Sequence, residues 1–130
     1  MAISLAEHPI HLGLGGSAVA QPAFTGVEWY EDYGNRTAAD GAEGRLVAMH
    51  TFTEDWGSWE RHPAGEEVVL CVSGAITLHQ ELADGSIATI DLGPTEYAIN
   101  PPGVWHTADI AKEATCLFIT AGLGTENRPR

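Results

Sequence analysis

The sequence is poor in positive charge: six Lys and Arg stand against eighteen Asp and Glu, a formal net charge of -12. Such a balance has no electrostatic hold on a phosphate backbone or an anionic bilayer, so no nucleic acid and no membrane is expected as a partner. The acid excess alone does not point to metal, because scattered carboxylates ordinarily serve solubility. No apolar run approaches the roughly 20 residues of a spanning helix, and the first residues show no basic stretch leading into an apolar one. A cytoplasmic protein is therefore expected. Cysteine is scarce too. Cys71 and Cys116 sit in Val-Leu-Cys-Val and Thr-Cys-Leu-Phe, settings that suit buried free thiols better than a disulfide or a thiolate metal site. Ser-His-Asp arrangements, a phosphate-cradling glycine loop and zinc-finger spacings are all missing, which leaves nucleophilic catalysis without support.

What is present is one domain's worth of chain. At 130 residues and 44% hydrophobic content it can bury one core, and one site is sought in it. Residues 1 to about 24 mix Gly, Pro, Ala and two histidines without periodicity, and read as an arm on the surface or against a partner subunit, with His8 and His11 exposed. Trp29, Tyr30 and Tyr33 suit a short amphipathic helix between Val27 and Arg36, followed by a Gly- and Ala-rich loop to Gly44. From Arg45 the pattern becomes short apolar runs between turns. Strands are predicted at 45–53, 67–73, 75–82, 87–92, 96–99, 104–110 and 114–121, as an antiparallel barrel or sandwich requires. The expected division is an arm with a helix over 1–44, a barrel over 45–121 and a tail over 122–130.

Two segments carry residues able to do chemistry. In Trp59-Glu60-Arg61-His62-Pro63-Ala64-Gly65-Glu66-Glu67, an extended backbone puts Glu60 and His62 on one side, about 7 Å apart along the strand. Period-two alternation then sets Glu67, Val69 and Cys71 on one face of the next strand, so either Glu66 or Glu67 points inward, but not both. In the second segment, Asn100-Pro101-Pro102-Gly103 makes a rigid reversal and His106 follows three residues after the glycine. Imidazole nitrogen and carboxylate oxygen suit zinc, iron, manganese, nickel or copper.

These segments resemble the paired motifs of the cupins. His62, four residues, Glu67, six residues and Gly74 follow the end of the first motif, and Pro101-Pro102-Gly103-Val104-Trp105-His106 follows the second. Trp59-Glu60-Arg61-His62-Pro63-Ala64-Gly65 and the tail Gly124-Thr125-Glu126-Asn127-Arg128-Pro129 are similar to a small single-domain bacterial subgroup. The sequence departs from the motifs at three points: Glu60 stands where the first histidine is usual, Gly93 lies two residues further from Pro101, and Ile110 occupies an Asn position. The resemblance implies an all-β, cupin-type double-stranded β-helix (jelly-roll) barrel with an N-terminal arm and a short helix. It also implies a divalent-metal site of Glu60, His62, Glu67 and His106, harder and more anionic than a three-histidine set and suited to iron, manganese or zinc. In the competing reading, His62 and Glu67 only hydrogen-bond each other and Glu60 faces solvent.

Other residues admit plainer readings. His50 alternates with Ala48 and Phe52 and either lines the cavity or is a hydrogen-bonded strand histidine, while His79 is expected to be exposed. Trp56, Trp59 and Trp105 form an aromatic wall or pack in the core or a dimer contact. The functions implied are a metal-dependent enzyme of oxygenase, isomerase or lyase type, a non-catalytic metabolite-binding or sensing module with or without metal, or a metal-free structural barrel. A small-molecule ligand and a homodimer are the expected partners.

Overall fold

Inward and outward alternation along short apolar runs produces two antiparallel sheets in the computed structural model, which describes all 130 residues. In chain order the elements are β1 (Ile10–Leu12), β2 (Ala18–Ala20), α1 (Val27–Thr37), β3 (Arg45–Phe52), β4 (Ser58–Arg61), β5 (Glu67–Gly74), β6 (Ile76–Glu81), β7 (Ile87–Leu92), β8 (Tyr97–Asn100), β9 (His106–Asp109), β10 (Ala114–Thr120) and β11 (Glu126–Pro129). Tight 3-10 turns cover Leu14–Gly16 and Ala38–Glu43. One sheet has the order β2-β1-β3-β10-β5-β8 and the other β11-β4-β9-β6-β7. No helix is long and apolar enough to cross a membrane.

The inner faces of the sheets meet in one core. Val69 and Cys71 of β5, Ala114, Cys116 and Phe118 of β10 and Ala98 of β8 pack against Ile76 and Leu78 of β6, Leu92 of β7 and Ala108 of β9. Period-two alternation is visible in β5, where Glu67, Val69 and Cys71 are buried and Val72 is exposed. Cys71 and Cys116 are free, buried and opposite each other in register, as their apolar settings predict. A second small cluster seats Trp29 of α1 on Leu46 and Ala48 of β3.

Two turns fix the framework. Gly74 has φ 78° and the carbonyl carbon of Glu113 would lie 2.9 Å from any added Cβ, so only glycine ends β5 there. Gly103, φ 73°, closes the Pro-Pro-Gly reversal and donates its N–H to the carbonyl of His62 at 3.1 Å, which ties the second motif to the first.

Four strands lie outside the predicted set. β1 and β2 have three residues each, too few to show alternation, yet β1 pairs with β3 and extends the six-stranded sheet. β4 has four residues, and β11, at the edge of the five-stranded sheet, ends on Pro129, which an edge tolerates. The arm is thus partly sheet. His11 is not a surface residue: it is 4% exposed, donates from Nε2 to Asp40 Oδ2 at 2.6 Å and pairs through Nδ1 with the Tyr33 hydroxyl at 2.6 Å. His8, half-buried, donates to the Gln21 carbonyl at 3.0 Å. His79 is half-buried as well, held by Asp109 at 2.8 Å and Thr89 at 3.1 Å.

Candidate metal centre

Strands of both sheets bring four polar side chains to one point inside the barrel. Glu60 is the inward residue of β4 and stands opposite His106, the first residue of β9. His62 follows the end of β4, and Glu67 opens β5. The donors lie within 4.8 Å of one another. His106 Nε2 is 3.1 Å from Glu60 Oε1 and 3.2 Å from Glu67 Oε1; His62 Nε2 is 3.1 Å from Glu67 Oε2 and 3.4 Å from Glu60 Oε1. Glu67, not Glu66, faces inward, and Glu60 points into the cluster with its side chain 28% exposed.

Each member is held from behind. Glu67 accepts hydrogen bonds from Asn100 at 3.1 Å and from the Thr120 hydroxyl at 2.6 Å, and Asn100 in turn accepts from Gln80 at 2.9 Å. His106 Nδ1 donates to the Val104 carbonyl at 3.3 Å. His62 Nδ1 meets the Thr125 hydroxyl at 2.8 Å. None of Gln80, Asn100, Thr120 and Thr125 is apparent as a site residue from the motifs. Period two offered a signal for two of them: Thr120 continues Cys116 and Phe118, and Gln80 continues Ile76 and Leu78.

The electrostatics follow from shared burial. Burial alone would lower the imidazole values, but the carboxylates of Glu60 and Glu67 lying against them prevail and push His62 and His106 each up to about 9. Burial raises the carboxyls, yet the imidazoles of His106 and His62 lying against them hold Glu60 and Glu67 below the usual carboxylate range. Without an ion the quartet is two imidazoliums against two carboxylates. One atom is left over: His62 Nε2 is buried and makes no hydrogen bond, though it stands 3.1 Å from Glu67 Oε2 as an ion-pair contact.

That geometry fits a metal ion. Nitrogen and oxygen donors about 2.0–2.2 Å from zinc stand roughly 2.9–3.5 Å from their nearest neighbours in tetrahedral or octahedral arrangements; the four nitrogen–oxygen contacts here run from 3.1 to 3.4 Å, with both Glu67 oxygens taking part, and the whole set lies within 4.8 Å. To bind an ion there, the unpartnered Nε2 would have to give up the proton it carries in the imidazolium.

Aromatic rings line one side. The Trp56 ring centroid is 6.4 Å from that of His106 and 6.1 Å from that of Phe118. His50 packs among Phe24, Phe52 and Phe118, where burial pushes its imidazole below the ordinary value. Trp59 and Trp105 do not join this wall: Arg128 covers both, at 5.4 and 4.5 Å, and Arg61 stacks on Trp105 at 4.5 Å.

No family model matches the sequence, and no curated protein matches it. Solved structures do. A cupin superfamily protein from Desulfitobacterium hafniense superposes with TM-score 0.50 at 19% identity, over 58% of this chain and 65% of that one. Oxalate decarboxylase from Bacillus subtilis, a protein with Mn(II) centres, gives TM-score 0.56 at 15% identity over 74% of this chain and 26% of that one. Hydroquinone 1,2-dioxygenase from Sphingomonas sp. TTNP3 gives 0.50 at 17%, over 58% of each chain. The chain spans less than two thirds of each of these neighbours. At such identities the likeness shows the fold.

Proposed function

We propose that this chain, a barrel of the cupin jelly-roll fold, holds a divalent metal ion through Glu60, His62, Glu67 and His106 and uses it to bind or transform a small organic molecule. The observation that carries the reading is the convergence of four residues whose donors all lie within 4.8 Å, with nitrogen–oxygen contacts of 3.1 to 3.4 Å and one buried imidazole nitrogen lacking any hydrogen bond. Two carboxylates and two imidazoles suit iron, manganese or zinc, and a manganese protein among the structural neighbours is consistent with that range. When bound, such an ion supplies Lewis acidity or a dioxygen site, which accommodates oxygenase, isomerase and lyase reactions alike.

The residues divide the work. Glu67 is locked by Asn100 and Thr120 and serves as a fixed anionic donor. Glu60 has no partner beyond the histidines and is the most exposed of the four, so it is the carboxylate that would move a proton when the other three residues hold the ion. The aromatic side formed by Trp56, Phe118 and Phe52 excludes water and favours a flat or apolar molecule over a highly charged one. The acidic balance of the chain also favours a small molecule over nucleic acid, in a cytoplasmic setting. A homodimer accompanies this reading: Val72, Tyr97 and Ile99 leave the outer face of the six-stranded sheet apolar and exposed, as sheet-to-sheet packing of two copies requires.

One observation favours a second reading. The quartet neutralises itself without an ion, so the same barrel could hold a metabolite as a metal-free binding module. Metal analysis of protein purified without chelator separates the two, alongside His62→Ala and His106→Ala. About one ion per chain, lost in both variants, is the expected result; a metal-free native protein that still binds metabolites would establish the second reading instead.

A further inference from the structure

We infer, on the reading of the site just given, that the C-terminal segment is a working part of the metal centre: Thr125 is a positioning residue for His62, and docking of β11 is coupled to metal occupancy. Three observations carry this.

The first is the hydrogen-bond arithmetic at Thr125. A hydroxyl has one hydrogen to donate. Thr125 gives it to the carbonyl of Gly122 at 2.9 Å, so toward His62, 2.8 Å away, its oxygen can only accept. His62 must therefore carry its hydrogen on Nδ1. In the neutral ring that leaves the lone pair on Nε2, the buried nitrogen without a hydrogen bond that faces Glu60 and Glu67. A partner on the far nitrogen commonly selects the metal-binding form of a histidine.

The second is the way β4 is secured. This strand carries Glu60 and leads directly into His62, yet its register pairing with β9 is a single pair, Glu60 with His106, supplemented by the Thr107 hydroxyl on the Ser58 carbonyl at 2.9 Å. Its other edge is paired along its whole length by β11, with Glu126, Asn127, Arg128 and Pro129 opposite Arg61, Glu60, Trp59 and Ser58.

The third is where the few basic residues lie. Three of the six in this acidic chain sit at this seam. Arg128 pairs with Glu81 at 2.9 Å and stacks on Trp105; Arg61 pairs with Glu126 at 2.8 Å; Arg130 reaches Asp109 at 2.7 Å and the carbonyls of Trp56 and Ala108. β11 is thereby pinned at both ends, and Thr125 stands just before it.

Because binding free energies are reciprocal, whatever metal gains from a docked β11, β11 gains from bound metal. The test uses the full chain with zinc as the probe ion. Thr125→Val removes the acceptor at nearly constant shape and is expected to weaken zinc binding about 10- to 100-fold, while Thr125→Ser, which keeps the oxygen, stays within a few fold of the parent. Thr125 is exposed, and unchanged melting of the zinc-free Val variant guards against simple unfolding. Amide exchange in 126–128 should slow on zinc addition in the parent and respond less in the Val variant. Equal zinc affinity in the parent and Thr125→Val, or exchange in 126–128 indifferent to zinc, overturns the inference while leaving the metal site standing. A parent chain that binds no zinc, manganese or iron(II), or a His62→Ala variant that binds them unchanged, overturns the site itself and the inference with it.

Discussion

Two buried histidine clusters in this molecule are built from the same kinds of groups and end in different chemistry. Near the N-terminus, His11 has one partner for each ring nitrogen, Asp40 and Tyr33, both at 2.6 Å, and the cluster is closed. Inside the barrel, His62 and His106 turn their Nε2 atoms toward the same two carboxylates while their Nδ1 atoms are occupied from behind. One arrangement satisfies a histidine; the other gathers four donors around a point and leaves one nitrogen without a hydrogen bond. Burial and a nearby acid alone do not separate a histidine with a structural role from one proposed as a ligand. What distinguishes them is whether the far nitrogen is held and the near one shared.

The widest gap between the clusters should open on neutralising a carboxylate. Glu67→Gln removes the acid locked by Asn100 and Thr120 and is expected to weaken metal binding by about a hundredfold or more, whereas Asp40→Asn should leave it unchanged; competition against a chromophoric chelator reads both. Equal effects would erase the distinction.

Acidity sharpens the comparison next. Below about 9 both barrel histidines carry protons that an ion must displace, so apparent affinity should climb with pH by up to about a hundredfold per unit and level off above that value. The metal-free chain behaves in the opposite sense. Its histidines, raised from 6.5 to about 9, contribute stability fully below 6.5 and lose it as pH rises through 9. Glu60 and Glu67, lowered from 4.5, contribute above that value and lose it as pH falls. Melting with chelator should therefore be highest, as far as this cluster decides, between about 4.5 and 6.5, and melting with metal should shift upward in pH.

A smaller effect is expected at the closed cluster. His11→Ala leaves Asp40 and Tyr33 without their partner and should cost about 2 kcal/mol of stability in denaturant unfolding, with metal stoichiometry intact. Smallest is Gly44→Ala, whose added Cβ would lie 2.8 Å from His11 Cε1. Its cost should be about 1 kcal/mol, again without change at the barrel site; a loss of metal in either variant would show that the clusters communicate.

Local rules made much of this legible. Period two and the turn residues give β3, β5, β6, β7, β8, β9 and β10 to within a few residues, and the resemblance of the two motifs to cupins agrees with the fold seen in the solved neighbours. The residues expected at the site, His62, Glu67 and His106, converge for the same reason, since a strand register and a Pro-Pro-Gly reversal act over a few residues. The apolar settings of Cys71 and Cys116 likewise implied the free, buried thiols that are found.

Long-range pairing decided the rest. Whether Glu60 faces in or out depends on β4 pairing with β9, and Glu60 meets His106 across 46 residues. Asn100, Thr120 and Thr125 reach Glu67 and His62 across 33, 53 and 63 residues; period two can turn Thr120 inward, but no local pattern names its partner. His11 is buried because β1 joins β3 while Tyr33 of α1 and Asp40 of the following turn close over it. The sequence by itself determined which residues could alternate, turn and bind; the tertiary structure alone decided which of them share a partner, because hydrogen bonds between distant strands exist only once both sheets are in register.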